Sequence, residues 1–220
     1  MTPTGSFAFF ARTTQGLEDV TAGELRAMGG VDLSAIEHRL VSGRAGAGPG
    51  RLVTLRTADD VFVEVGAIEG LGRARSALAL LGEKAAILDL EPARRVLRAL
   101  RPLPVRPTCY VRASFVGKRN YTTAEIEEAL AQPLLRRHRM ARAPDDGEAA
   151  LHLRLVLEGE RARIGLRLAA APLHERPWRR IHRPGSLKPA VAAALWRLAG
   201  LRPGEGALDP CCGSGTLLAE

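Results

Sequence analysis

The chain has 220 residues, 46% hydrophobic and 25% charged, a globular composition long enough for one large domain or two small ones. Its formal net charge of +8 resides almost wholly on arginine, whose forked guanidinium grips phosphate bidentately, so the balance favours a polyanionic partner. Three cysteines, two of them adjacent and without metal-ligand spacing, argue against a disulfide framework. With no signal-peptide pattern and no uncharged apolar run long enough to span a bilayer, a cytoplasmic location is expected.

In chain order, the aromatic run at 6–13 predicts a first strand. A helix follows, with Leu17, Val20, Leu25 and Met28 on one face, ending at Gly29-Gly30 as a C-cap. Strands are predicted at 34–41 and 51–57, joined by a flexible glycine-rich loop at 42–50, with a further strand at 60–68. Helices are predicted at 73–84 and 91–101, the latter with Pro92 in its first turn. After a proline-rich break comes a strand at 108–117. Thr122 and Glu125 then have capping-box spacing at the start of a helix running to Met140. Residues 151–168 alternate as a hairpin around Glu158-Gly159-Glu160. A basic extended linker at 169–186 leads to a last helix at 188–201.

Two constellations carry chemistry. The first is basic: Arg112, Lys118, Arg119, Arg136, Arg137, Arg139 and Arg142 in one stretch, and Arg176, Arg179, Arg180, Arg183 and Lys188 in the linker. Any one of these arginines has about even odds of lying on a merely solvated face. As a set, with few acids among them and Tyr110, Tyr121 and Trp178 able to stack bases, they point to nucleic acid. The second is "GALDPCCGSGT" at 206–216. There Gly206 to Asp209 is expected to end a strand, and Gly213-Ser214-Gly215 to turn into a helix. Glycines at such a turn admit a ligand close to the backbone, and the helix start offers N–H groups. The dinucleotide fingerprint fails because Leu218 stands where its third glycine belongs, and a P-loop fails for lack of its lysine. The five histidines show no metal-ligand spacing, and no metal is expected.

"DPCCGSGT" resembles the first motif of Rossmann-fold methyltransferases that use S-adenosylmethionine, in the form found in base-modifying RNA enzymes. "HRPGSLKPAVAAALWRLAGLRPG" is similar to the segment preceding that motif. "YVRASFVGKRNYTTAEI" with "IGLRLAAAPLHERPWR" resembles the THUMP RNA-binding domain, and "GLEDVTAGELRAMGG" the ferredoxin-like domain before it. The order of these segments resembles THUMP-containing RNA methyltransferases, the tRNA guanine-N2 type above all.

The resemblance implies an α/β chain whose N-terminal half is α+β. It places a ferredoxin-like domain at 1–70, a THUMP domain at 71–170, a basic linker at 171–188, and at 189–220 the start of a methyltransferase domain with only its first strand. It places the cofactor on Asp209, Cys211, Gly213, Ser214, Gly215 and Thr216, walled by Ser186 and Leu187. RNA, above all the tRNA acceptor end, would lie on Arg112, Lys118, Arg119, Tyr121, Arg136, Arg137, Arg139, Arg142, Arg179 and Arg180. The Asn/Asp-Pro-Pro-aromatic motif that holds the target amine in such enzymes does not occur, so no catalytic residue is expected and these 220 residues are expected to be inactive alone. A stand-alone tRNA- or rRNA-binding module, or part of an rRNA guanine methyltransferase, are the alternatives. Thiouridine synthesis or pseudouridylation on THUMP is disfavoured by the segment 185–216.

Overall fold

The computed structural model describes residues 5–46, 48–179, 184–202 and 204–220. The chain is a mixed α/β fold that divides into two compact units, one built from residues 62–167 and the other from 4–61 with 168–220.

In the second of these units, β1 (Phe7–Thr13) pairs antiparallel with β3 (Leu40–Ala45), which pairs in turn with β2 (Val31–Glu37). Phe9, Phe10 and Ala11 of β1 are fully buried, as a strand of aromatic and small residues against a helix layer should be. The hairpin turns at His38-Arg39, where Arg39 takes φ +56°. The predicted strand at 34–41 is therefore two strands, and part of the predicted loop at 42–50 is β3. Gly43 explains the difference. A Cβ there would lie 2.4 Å from the Asp32 carbonyl oxygen, beside the irregular register of β2, so the glycine permits close strand approach and marks no flexible loop.

The predicted strand at 51–57 is also corrected. Pro49–Thr54 is a 3-10 turn, and Leu52 and Leu55, three residues apart, are buried together at 1% exposure. Helix α1 (Glu18–Met28) ends at Gly29 as expected, but its buried face is Thr21, Ala22, Glu24 and Leu25. Of the predicted apolar face only Leu25 is buried. The backbone N–H groups of Arg56 and Thr57 need an acceptor, and Glu24 provides it at 3.1 and 2.9 Å. Later in the chain, α5 (Pro189–Ala199) and the short α6 (Thr216–Ala219) complete this unit. Residues 204–209 form no strand among the described residues, in contrast to the strand expected to end at Asp209. A parallel strand is held by hydrogen bonds to neighbours on each side, and none pairs with this segment here.

The strand β4 (Ala58–Ile68) gives its first four residues to that unit and the rest to the other. From Phe62 it pairs antiparallel with β8 (Arg161–Arg167), which forms a hairpin with β7 (Leu151–Glu158) closed by the pair Glu158–Arg161. β7 lies parallel to β5 (Thr108–Phe115), and the two-residue β6 (Ala141–Arg142) forms the edge. The crossover from β5 to β7 carries α4 (Thr123–Arg137), which packs against β5 and α2 (Ser76–Ile87); α3 (Glu91–Arg98) reaches β8. The capping box forms as the spacing predicts. The Thr122 hydroxyl accepts from Glu125 N–H at 3.2 Å, and Glu125 accepts from Thr122 N–H at 2.8 Å.

Candidate cofactor turn and nucleic-acid interface

The segment 209–216 forms one open turn. Asp209 starts it by accepting the Cys211 N–H at 2.9 Å, and Gly215 closes it with a 2.7 Å bond to the Cys212 carbonyl. Gly213 and Gly215 both adopt left-handed φ, +53° and +71°, which only residues without a Cβ reach freely. A Cβ at Gly215 would meet nothing within 4 Å. Cys211, Gly213 and Ser214 are exposed, whereas Thr216 is buried at 2% and bonded through Ser214 at 3.0 Å. The turn is thus shaped like a cradle, with its backbone facing open space.

The last residues of the chain, 216–220, are firmly held. The Trp196 indole N–H of α5 donates to the Leu217 carbonyl at 2.6 Å. The Glu220 side chain, wholly inaccessible, accepts from Arg176 Nε at 2.7 Å and from Arg56 Nε at 2.8 Å. None of these ties is apparent from the sequence. Ser186 and Leu187 lie half-buried in the segment leading into α5, apart in sequence from the turn.

The basic residues divide into three groups. Arg136 and Arg137 close the last turn of α4, followed by Arg139 at φ +50° and Arg142 on β6. All four are exposed, and Arg142 pairs with Glu128 while Arg137 donates to the Ala86 carbonyl at 3.3 Å. Positive charge at a helix C-terminus also complements the helix dipole, so part of this cluster has a structural use. Arg112, exposed on β5, donates to the Tyr110 hydroxyl at 3.1 Å. Lys118 and Arg119 lie past the other end of β5, about 20 Å along the strand from Cys109, the partner of Arg142, at ~3.3 Å per residue.

Arg119 faces inward. Its guanidinium donates to the carbonyls of Leu71 at 3.0 Å and Gly72 at 3.2 Å, to the Tyr121 hydroxyl at 3.0 Å, and to Gly159. Tyr121 is 4% exposed, edge-on to Phe115, with its hydroxyl bonded to the Gly72 carbonyl. Lys118 is exposed beside them. Arg179 is half-buried, Trp178 is exposed, and Arg180 lies outside the described residues.

The thiols differ sharply. Burial pushes Cys109 up to about 12, while Cys211 and Cys212 are exposed at the turn. Among the described residues no group of side chains is arranged to hold a metal ion, and no helix is long and apolar enough to cross a membrane.

Residues 176–220 match a protein family described as UPF0020, the RMKL-like methyltransferase domain. A tRNA (guanine(6)-N2)-methyltransferase of Thermus thermophilus is 39% identical over 111 residues, half of this chain and 32% of that protein. The Ribosomal RNA large subunit methyltransferase K/L of Photobacterium profundum is 41% identical over 104 residues, 46% of this chain and 14% of that protein. The chain thus spans under a third of the length of either relative in the matched region. The crystal structure of TrmN from Thermus thermophilus superposes with a TM-score of 0.70 and 29% identity, covering 96% of this chain and 60% of that one.

Proposed function

We propose that this chain provides the RNA-holding part and the cofactor turn of an S-adenosylmethionine-dependent RNA methyltransferase that modifies a guanine N2 in tRNA. The observation that carries the reading is the turn at 209–216, which lies inside the region matching the methyltransferase family and has open backbone on its outer side. Two left-handed glycines without side chains admit a ligand to within contact of the backbone, and Asp209 is poised as an acceptor at the turn's start. Those features fit S-adenosylmethionine: Asp209 beside its amino-acid portion, Gly213-Ser214-Gly215 and Thr216 beneath it, Cys211 packed alongside, Ser186 and Leu187 walling the pocket.

The bound cofactor supplies an electrophilic methyl group on a sulfonium sulfur. The chain's own residues hold and orient. Little acid–base help is needed beyond placing the exocyclic amine in line with the methyl, since positioning supplies most of the acceleration. A paired or stacked guanine must leave its stack to be reached.

On the same reading, residues 1–70 are a ferredoxin-like domain, 71–170 a THUMP domain, 171–188 the basic linker and 189–220 the start of the methyltransferase domain. RNA lies on Arg112, Lys118, Arg136, Arg137, Arg139, Arg142 and Arg179, with the tRNA acceptor end near Lys118. Arg119 and Tyr121 act from behind by fixing the loop that presents Lys118. The relative that acts on ribosomal RNA supports a second reading, in which the substrate is large-subunit rRNA.

Transfer of tritiated methyl groups by the full-length protein, offered tRNA and 23S rRNA in parallel, tests the proposal. Label in tRNA recovered as N2-methylguanosine is the expected result. Label confined to rRNA selects the second reading, and RNA binding without transfer reduces the chain to a binding module.

A further inference from the structure

Helix α6 follows the cofactor turn directly and leads into Glu220. The Glu220 side chain is held from two sides. Arg176, itself 9% exposed, places Nε on Glu220 Oε1 at 2.7 Å and Nη2 on the Arg56 carbonyl at 2.7 Å, while Nη1 donates to the Leu173 carbonyl. Arg56 adds its own guanidinium to Glu220 Oε2 at 2.7 Å.

The same dipeptide also faces the other way. The N–H groups of Arg56 and Thr57 and the Thr57 hydroxyl all donate to Glu24, the last at 2.6 Å. Glu24 in turn pairs with Arg197 of α5 at 3.0 Å. The residue after α6 is thus ion-paired to Arg56, while α5 is ion-paired to Glu24, which the Arg56-Thr57 dipeptide holds by hydrogen bonds. A buried charge is tolerable only while its partner remains, so moving α6 would draw Glu220 away and leave the buried Arg176 guanidinium without its carboxylate.

We propose that Glu220 is a positioning residue. Clamped by Arg56 and Arg176, it fixes α6 and, through it, the Gly213–Gly215 turn, so the affinity for the methyl donor is set partly by residues of the N-terminal stretch. This rests on the cofactor reading of that turn. Removing the charge loosens the turn without touching the groups proposed to contact the donor.

Glu220→Gln and Arg56→Met in the full-length protein test it, by amide hydrogen exchange, calorimetry with S-adenosylmethionine, and steady-state kinetics. Glu220→Gln should speed exchange across 213–219 at least tenfold and weaken donor binding at least tenfold. It should raise KM for the donor while leaving KM for RNA and exchange in β7 unchanged. Arg56→Met, which removes a half-exposed partner, should give a smaller loss of the same kind. A double variant with Arg176→Gln should bind no more weakly than the worse single one. Donor affinity equal to wild type in Glu220→Gln overturns the proposal, as does loss of RNA and donor binding together with faster exchange in β7. A wild type that fails to bind the donor, with faster exchange at 213–219 in the variant, instead removes the cofactor reading and leaves the clamp standing.

Discussion

Two loops that each read in the sequence as a contact surface behave in opposite ways. Residues 117–121 join one glycine to two cations, an asparagine and a tyrosine, whereas 211–215 hold two cysteines, two glycines and a serine. In the first, Lys118 and Asn120 are exposed, while Arg119 and Tyr121 turn in and bond the carbonyls of Leu71, Gly72 and Gly159. In the second, side chains are small, both glycines are left-handed, and the backbone itself is exposed. A loop that presents a side chain is braced from within, whereas a loop that presents its backbone is fastened only at its ends.

The largest effect should come from the open loop. Gly215→Val forces a β-branched residue to φ +71° and covers the cradle. Donor affinity should fall by roughly a hundredfold, ~2.7 kcal/mol, with RNA affinity unchanged; calorimetry and filter binding read the two separately. Lys118→Glu combined with Arg139→Glu should do the reverse, weakening RNA by about tenfold or more at low salt with donor binding intact. If ~5 phosphates of single-stranded RNA are contacted, the log–log salt slope of the wild type should be about −3.5, and shallower in that variant.

Arg119→Met should sharpen the contrast. It strips donors from interior carbonyls, so thermal unfolding should report a loss of about 1–3 kcal/mol, and RNA affinity should fall only as far as the loop at Lys118 loosens. Thr122→Ala, which removes the cap of the next helix, should cost ~1 kcal/mol and leave both ligands bound.

A last and smaller effect is pH. His152 is held below its ordinary 6.5, chiefly by burial and then by Arg167 and Arg101, against the opposing pull of Asp146. Its Nε2 faces the Asp146 carbonyl at 2.6 Å and Nδ1 is buried, so a second proton has no acceptor. Asp146 lies below its ordinary 3.8 because the hydrogen bond and charge of Arg167 outweigh the burial that opposes them. For both groups the unfolded chain binds protons first as pH falls, so stability should decline below about 6.5 through His152 and again below about 3.8 through Asp146. His152→Gln should remove the first decline.

Much of this fold is legible in the chain. The capping box, the C-cap at Gly29 and the hairpin at Gly159 depend on neighbours within a few residues, and each appears where local chemistry puts it. Gly43 and the Leu52–Leu55 pair mislead because one serves a cross-strand approach and the other has helical spacing inside a strand-like composition. The interior roles of Glu24, Arg119, Arg176 and Glu220 are hidden for a different reason. Burial of a charged side chain depends on partners distant in sequence, and Arg176 and Glu220 meet across 44 residues.

The central claim is that residues 209–216 hold the methyl donor. Ultraviolet crosslinking of methyl-labelled S-adenosylmethionine to the full-length protein, with the labelled peptide sequenced, tests it most directly. The account predicts label on the peptide containing 209–216, lost in Gly215→Val and competed by unlabelled cofactor. Specific, competable label that leaves that peptide untouched and persists in Gly215→Val would contradict it.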